Sequence, residues 1–473
     1  MSFPFSGVVV LDLTQIYNGP YATFLLAQGG AEVIKVEPPG GEHLRRRQGA
    51  SGAAMPFAML NANKRTMTLN LKTDEGREVL LRLAAQADVL VENFAPGVMD
   101  RLGLSAATLH AANPRLVIAS GSGYGKTGPY RDFPAMDLTV QAMAGVIDTT
   151  GYPDAPPVKA GPAMADFLAG IHLFGAIAAA LFERERTGRG RTVEVSMMEA
   201  VYPTLASGLG LFYGGGAEVV RTGNRHSGLS LCPYNVYPAA DGYIAIITNN
   251  DQHWRWLVEA LDCKQLADEP RFATVRQRCA NMDEVDAAIG ERTKRQSKAE
   301  LFELLIRARV PCAPVRTLAE VVNDPHLHAR GSLRWIDHPE YGRMVVPISP
   351  LRFDGDGDGG EAGDGNDGGD GANGANAAAE GTGGTVPYRP SSPLGADTEA
   401  ILAERLKLGR RRTSRPCANA RCCDGRGAAA SSSRTWPAAA VAMALVTGQR
   451  HRPRHRRGLR GCRCARRRHR PRA

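Results

Sequence analysis

Short apolar runs alternate along the first half of the chain with longer stretches whose apolar residues recur every three or four positions. Residues 8–13 (Val-Val-Val-Leu-Asp-Leu) predict a strand that ends near the turn-forming triplet Asn18-Gly19-Pro20, and 21–30 predicts a helix. Residues 31–36 predict the next strand. The pattern repeats as helix 75–86, strand 87–91, helix 97–102 and strand 116–120. A long apolar helix is expected from Asp166 to about Thr187, followed by a turn at Gly188-Arg189-Gly190-Arg191 and a strand at 192–195. Strands and helices in this alternation fold as right-handed βαβ crossovers around a parallel sheet, so the fold class is α/β with a Rossmann-like large domain.

The rhythm changes after about residue 213. A strand-like run at 242–247 and amphipathic helices such as 298–309 predict a smaller α+β domain over 214–346. Residues 347–408 are expected to return to the large domain begun by 1–213. They are interrupted at 354–385 by Gly, Asp, Ala and Asn sequence with nothing to bury, a composition that favours disorder, and they end in the helix 397–408. Two domains suit a chain of 473 residues, 43% of them hydrophobic and 22% charged. No basic segment followed by an apolar core opens the chain. The longest uncharged apolar run, 167–182, is broken by His172 and is shorter than the roughly 20 residues of a spanning helix. The chain therefore reads as soluble and cytoplasmic, with no membrane partner.

Charge changes the picture only at the end. Residues 409–473 hold nineteen arginines, no lysine and one acid, a balance of +18, which leaves the first 408 residues at −8 within an overall +10. Five of the nine cysteines fall in the same tail. The other four, Cys232, Cys263, Cys279 and Cys312, are widely spaced and form neither a CxxC pair nor a metal-ligand pattern. A metal site and a permanently bound cofactor are accordingly not expected. The glycines at 121, 123, 125 and 128 do not fit a dinucleotide loop and read as a turn-rich connection, and there is no P-loop, nucleophile elbow or HExxH.

Asp166 is the residue with the sharpest pair of readings. It lies in Gly161-Pro-Ala-Met-Ala-Asp166-Phe-Leu-Ala-Gly170, uncharged apart from itself, at the start of an apolar helix. One reading is an N-cap, satisfying backbone N–H groups. The other is a nucleophilic carboxylate, with small neighbours leaving room for a carbonyl and helix N–H groups placed to stabilise an oxyanion. Basic side chains shortly after strand-like runs (Lys72 beyond Asn61-Ala-Asn-Lys-Arg-Thr66, and Arg101 beyond Val91-Glu-Asn-Phe-Ala-Pro-Gly97) read either as phosphate ligands at the carboxyl edge of a sheet or as solvated charges. Arg45, Arg46 and Arg47 carry the same two readings.

Several of these segments, in order, resemble the family III CoA-transferases, the CaiB/BaiF group with formyl-CoA transferase and carnitine CoA-transferase-like members. The matching stretches are Val10-Leu-Asp-Leu-Thr14 with Gly19-Pro20, Ala31-Glu-Val-Ile-Lys-Val-Glu37, Asn63-Lys-Arg65, Val91-Glu-Asn-Phe94, Thr187-Gly-Arg-Gly190, Thr222-Gly-Asn-Arg-His226 and Asp241-Gly-Tyr243. The resemblance runs over 5–346 and 389–408. It implies that Asp166 is the nucleophile, passing through a mixed anhydride and an aspartyl-CoA thioester. It also implies that CoA is met by Ile16, Tyr17, Leu69, Lys72, Asn93, Phe94, Arg101 and Met197. An interlocked homodimer follows from it too, with acyl-CoA and a small carboxylic acid as substrates. One basic residue used by some members just after the second strand is Pro38 here, and Arg45–Arg47 are the local substitutes.

Two other functions stay in view. The 2-methylacyl-CoA racemase branch of the same fold uses a Gly-His-Asp segment, and the corresponding Ala135-Met136-Asp137 lacks the proton-carrying histidine. That disfavours a racemase or an acyl-CoA lyase and leaves Asp137 as an auxiliary acid or a capping group. The tail invites a nucleic-acid reading through its arginines, but its abrupt start after Leu408 and its lack of hydrophobic period read better as coding sequence translated out of frame.

Overall fold

The computed structural model describes residues 3–47, 55–215, 221–353 and 386–408. The expectations for 354–385 and 409–473 lie outside the described residues.

Six strands form one parallel sheet: β1 (Val9–Asp12), β2 (Glu32–Glu37), β3 (Arg65–Thr68), β4 (Val89–Glu92), β5 (Val117–Ser122) and β6 (Thr192–Ser196). Their order is β3-β2-β1-β4-β5-β6. Apolar runs suit this sheet because both faces are covered. Val10, Val33, Val89, Val91, Val117 and Ala119 pack beneath the helices α1 (Asn18–Gln28) and, further along the chain, Met164–Thr187. Leu11, Ile34, Val36, Met67, Leu90 and Ile118 face the other way, against α2 (Asp74–Ala84) and α3 (Ala106–Ala112).

After β5 come α4 (Asp137–Met143), α5 (Met164–Thr187) and α6 (Met197–Val201), the last directly after β6. At 24 residues, α5 is long and apolar enough to cross a membrane by length and composition, which the uncharged run alone did not suggest. Here it buries Ala165, Ala169, Leu173 and Ile177, and Arg184 pairs with Asp88 at 2.9 Å. Helix α1 starts three residues before its sequence-level boundary. Pro20 falls in its first turn, where an absent N–H removes no helical bond.

A second, antiparallel sheet joins β7 (Tyr234–Ala239), β8 (Gly242–Ile247) and β9 (Cys312–Pro314) around Tyr237, Ile244, Trp254, Val285 and Leu301. The hairpin β10 (Leu333–His338) and β11 (Gly342–Pro347) was placed by sequence mostly in the smaller domain. Its Met344 and Val346 instead pack on Ala58, beside Met55, Met59 and Tyr388. Residues 386–408 lie along the outer edge of β3. Thr66 N–H donates to the Asp397 carboxylate at 2.8 Å, Asp397 N–H donates to Thr66 O at 3.0 Å, and Thr68 N–H donates to Thr398 Oγ1 at 3.1 Å. The closing helix α7 (Thr398–Leu406) then buries Ile401, Leu402 and Leu406 in the core.

Candidate active site

In this strand order the connections run outward in opposite directions from β1 and β4, so a crevice opens between the carboxyl ends of those two strands. The loop after β1 is held there by the Asn93 side chain beyond β4. Its Oδ1 accepts from Gln15 N–H at 2.9 Å, and its Nδ2 donates to Gln15 O at 2.8 Å. Ile16 adopts φ 67°, a left-handed conformation unfavourable for a branched side chain.

Beneath this loop lies a fully buried ionic cluster. Lys64 Nζ meets the Asp12 carboxylate at 3.0 Å and also donates to Thr23 Oγ1, Pro20 O and Asn61 Oδ1. Lys35 Nζ donates to Thr14 O at 2.8 Å. Burial alone would raise Asp12, yet Lys35 and Lys64 hold it well below the usual carboxylate range. Burial pushes the Lys64 ammonium down to about 8 against the pull of Asp12. Lys64 is thus committed inside the protein, where it braces the loop. Arg45 is committed in the same way. Its guanidinium grips the Glu37 carboxylate at 2.9 Å, donates to Ser392 O at 3.0 Å and lies 3.9 Å over the Phe57 ring. It does not stand in for the basic residue missing at Pro38, whereas Arg46 and Arg47 are exposed.

Asp166 is the third residue of α5 and is 7% exposed. It does not cap its own helix: Ala163 occupies the N-cap position and offers no side-chain bond. The capping group comes from 29 residues earlier. Asp137 Oδ1 accepts from Ala165 N–H at 2.9 Å and Asp166 N–H at 3.3 Å, the second and third positions that an N-cap side chain ordinarily serves. Its Oδ2 accepts from Gln141 Nε2 at 2.6 Å, and Gln141 Oε1 in turn accepts from Ala160 N–H at 2.9 Å. Burial first, and the Asp137 charge second, push the Asp166 carboxyl up to about 7, while a hydrogen bond from the Asn18 backbone opposes the rise.

Asp166 lies near the N-terminus of α1. The approach is close: a Cβ on Gly170, one turn beyond Asp166, would lie 2.7 Å from Asn18 O. Tyr17 stacks on Phe167 at 5.8 Å, and Tyr21 meets the same ring edge-on at 4.9 Å.

A cavity of about 500 Å³ lies beyond β4 and β5, lined among others by Phe94, Arg101, Gly121, Lys126 and Arg131. Asp166 is not in its wall. Lys126 Nζ donates to Ser120 Oγ at 2.6 Å and lies 3.7 Å from the Glu92 carboxylate. Arg131 pairs with Asp132. Arg101 makes no ion pair among the described residues and is the cavity's uncommitted cation.

The structure therefore draws the sequence candidates together unevenly. Tyr17 lies beside Phe167, next to Asp166, and Asn93 holds the loop that carries Ile16, whereas Phe94 and Arg101 line the cavity beyond β4 and β5. Met197 is buried in the cluster that includes Ala165 and Ala169, behind the carboxylate. Leu69 is sealed in the core at 2% exposure, so its side chain is withdrawn from any ligand. Lys72 stands exposed beyond β3. Of the two readings of Asp137, the capping one is realised, on the helix that carries Asp166, whereas Asn18, read as part of a turn, opens α1.

Comparison with known proteins follows from this geometry. The sequence model of the family described as CoA-transferase family III matches residues 5–359. An acetyl-CoA:oxalate CoA-transferase of Acetobacter aceti is 38% identical over 358 residues, 75% of this chain and 90% of the relative. A succinyl-CoA:mesaconate CoA-transferase of Haloarcula marismortui is 38% identical over 356 residues, covering 72% and 88%. A crystal structure of a CAIB/BAIF family protein from Brucella suis superposes with a TM-score of 0.71 at 33% identity, covering 86% of this chain and all of that one.

Proposed function

The chain belongs to CoA-transferase family III, and from that premise we propose that it transfers CoA between short carboxylic acids through covalent intermediates on Asp166. The observation that carries the reading is a buried carboxylate, pushed up to about 7, set against the amino end of a neighbouring helix. Such a group is half ionised near neutrality and, when ionised, is more basic than a solvated carboxylate.

An Asp166 oxygen attacks the thioester carbonyl carbon of the donor, the C–S bond breaks, and CoA departs as a thiolate from an acyl-aspartyl anhydride. The thiolate attacks Cγ of Asp166, the Cγ–O bond to the acyl group breaks, and the donor acid leaves as its carboxylate. An acceptor carboxylate attacks the aspartyl-CoA thioester and the two steps run in reverse, returning Asp166 as a carboxylate. No proton or electron is gained or lost overall. The N–H groups opening α1 carry no side-chain cap, which supports a role for them in stabilising the developing oxyanion.

Arg101 and Phe94 serve the nucleotide end of CoA, supported by their place in the cavity wall and by the free charge of Arg101. Relatives named for oxalate, mesaconate and glutarate support a small dicarboxylate as one partner. Two copies are proposed to interlock, consistent with exposed Tyr130, Phe133, Met136, Leu138, Phe212 and Tyr213. A racemase gains no support: Met136 is half exposed beside Asp137 and holds no proton.

The test is covalent capture. The protein is incubated with oxalyl-, formyl-, succinyl- and acetyl-CoA, quenched with hydroxylamine and mapped by mass spectrometry beside Asp166→Ala. A hydroxamate at Asp166 is expected. Protein that binds CoA yet yields none with any donor overturns the covalent reading.

A further inference from the structure

Asn18 is the first residue of α1 and is 3% exposed, yet its side-chain Oδ1 has no hydrogen-bond partner. A buried carbonyl left unpaired is destabilising, and a fold that keeps one has another use for it. Two glycines make room for this residue. A Cβ on Gly121, at the end of β5, would lie 2.6 Å from Asn18 Oδ1, and one on Gly170 would lie 2.7 Å from the Asn18 backbone carbonyl. Gly121 thus admits the carboxamide and Gly170 the backbone of the same residue, and the carboxamide oxygen is left unsatisfied.

Its position explains what it is kept for. The Asn18 backbone lies against Gly170, one turn beyond Asp166, and lowers that carboxyl, while its carboxamide lies against Gly121, which lines the cavity beyond β5. The side chain therefore stands between the pocket that holds the body of CoA and the carboxylate that receives the acyl group. A thioester spanning the two passes this residue. A carboxamide offers an N–H donor on one side and a carbonyl on the other, and here nothing fixes its carbonyl, so a half-turn of the group brings the donor round at little cost.

We propose that the Asn18 carboxamide is a catalytic residue, donating a hydrogen bond to the carbonyl oxygen of the acyl group as Asp166 attacks it. The proposal rests on the transferase reading and adds a side-chain donor to the backbone N–H groups of α1. The carbonyl oxygen is neutral in the thioester and negative in the tetrahedral adduct, so the bond strengthens as the barrier is climbed.

The experiment compares wild type with Asn18→Ala and with Asn18→Leu, the latter an apolar replacement of nearly the same shape. Single-turnover formation of the Asp166 adduct is followed for the four acyl-CoAs above, with CoA affinity and thermal midpoint measured on the same samples. Both variants are expected to slow adduct formation by about 100-fold. Their CoA affinity should stay within about twofold, and their midpoints should be equal to or above wild type because the unpaired carbonyl is gone. Adduct formation at the wild-type rate in stable Leu and Ala variants overturns the role of Asn18 alone. Absence of any adduct in wild-type protein that binds CoA overturns the transferase reading, and this role with it.

Discussion

Replacing Asp137 with Asn tests how the nucleophile is tuned. The substitution keeps an oxygen to accept from Ala165 and Asp166 N–H but removes the charge. Asp166 is lifted from 3.8 to about 7, with burial the largest cause and Asp137 the second. Asp137 is the smaller of the two causes that raise it, and a single like charge at this range is worth on the order of one pH unit, or roughly 1.4 kcal/mol. Removing a neighbouring negative charge makes Asp166 easier to ionise, so its midpoint falls to about 6. Only the ionised form attacks, and the acid limb of kcat/KM reports this group in the free enzyme. At pH 6 the variant should be about fivefold more active than expected from wild-type ionisation, because half rather than roughly a tenth of the carboxylate is ionised. Above pH 8 the order should reverse slightly, since a less basic carboxylate is a weaker nucleophile. The assay is initial rate against pH with the donor that labels Asp166. Lost pairing with Gln141 lowers the thermal midpoint without moving the limb. A limb that stays in place, or moves to higher pH, refutes the assignment of Asp137 as the charge that raises Asp166.

Three further outcomes are expected. Asp166→Asn should stabilise the protein at pH 8 and leave it unchanged at pH 3.5. The unfolded chain ionises at 3.8 and the folded one at about 7, so the cost of burying the charge builds between those values and is fully present above them, reaching roughly 4 kcal/mol. Denaturant midpoints at the two pH values decide it. Arg101→Ala should weaken CoA binding by about tenfold or more, measured by calorimetry. Arg45→Ala should leave affinity unchanged while lowering stability, because Arg45 is bound to Glu37 and Ser392; the converse result would return Arg45 to the ligand.

What the sequence reveals here depends on distance along the chain. Five of the six parallel strands were legible because burial on both faces leaves uninterrupted runs such as Val89–Val91, and their boundaries lie within two residues of the observed ones; β3, whose Arg65-Thr-Met-Thr68 is no apolar run, was not. Asp166 was visible as a lone acid in an uncharged stretch, though composition alone could not separate a cap from a nucleophile. The structure separates them by putting Asp137 in the capping position. A capping role for Asp137 was open in the sequence, but nothing local marks which helix it caps, because the two residues meet only after α4 and α5 are packed. Arg45 could be read as a surface charge for the same reason, since Ser392 lies 347 positions away, and the buried role of Lys64 went unread because Asp12 lies 52 positions before it. Asn18 carried one usable signal, a Pro two positions on, which is as compatible with the first turn of a helix as with a loop.

The seam between β3 and residues 386–408 also sets a timetable for synthesis. Thr66 waits for Asp397, 331 positions downstream, before its outward N–H and C=O find partners. At ordinary translation speeds of roughly 5–20 residues per second, that is an interval of about 20 to 60 seconds. Throughout it the growing chain presents an open strand edge, the surface on which nascent chains stick to one another. A lesion in 386–408 is therefore felt first on the ribosome, as a smaller yield of folded chains, before it is felt at Asp166.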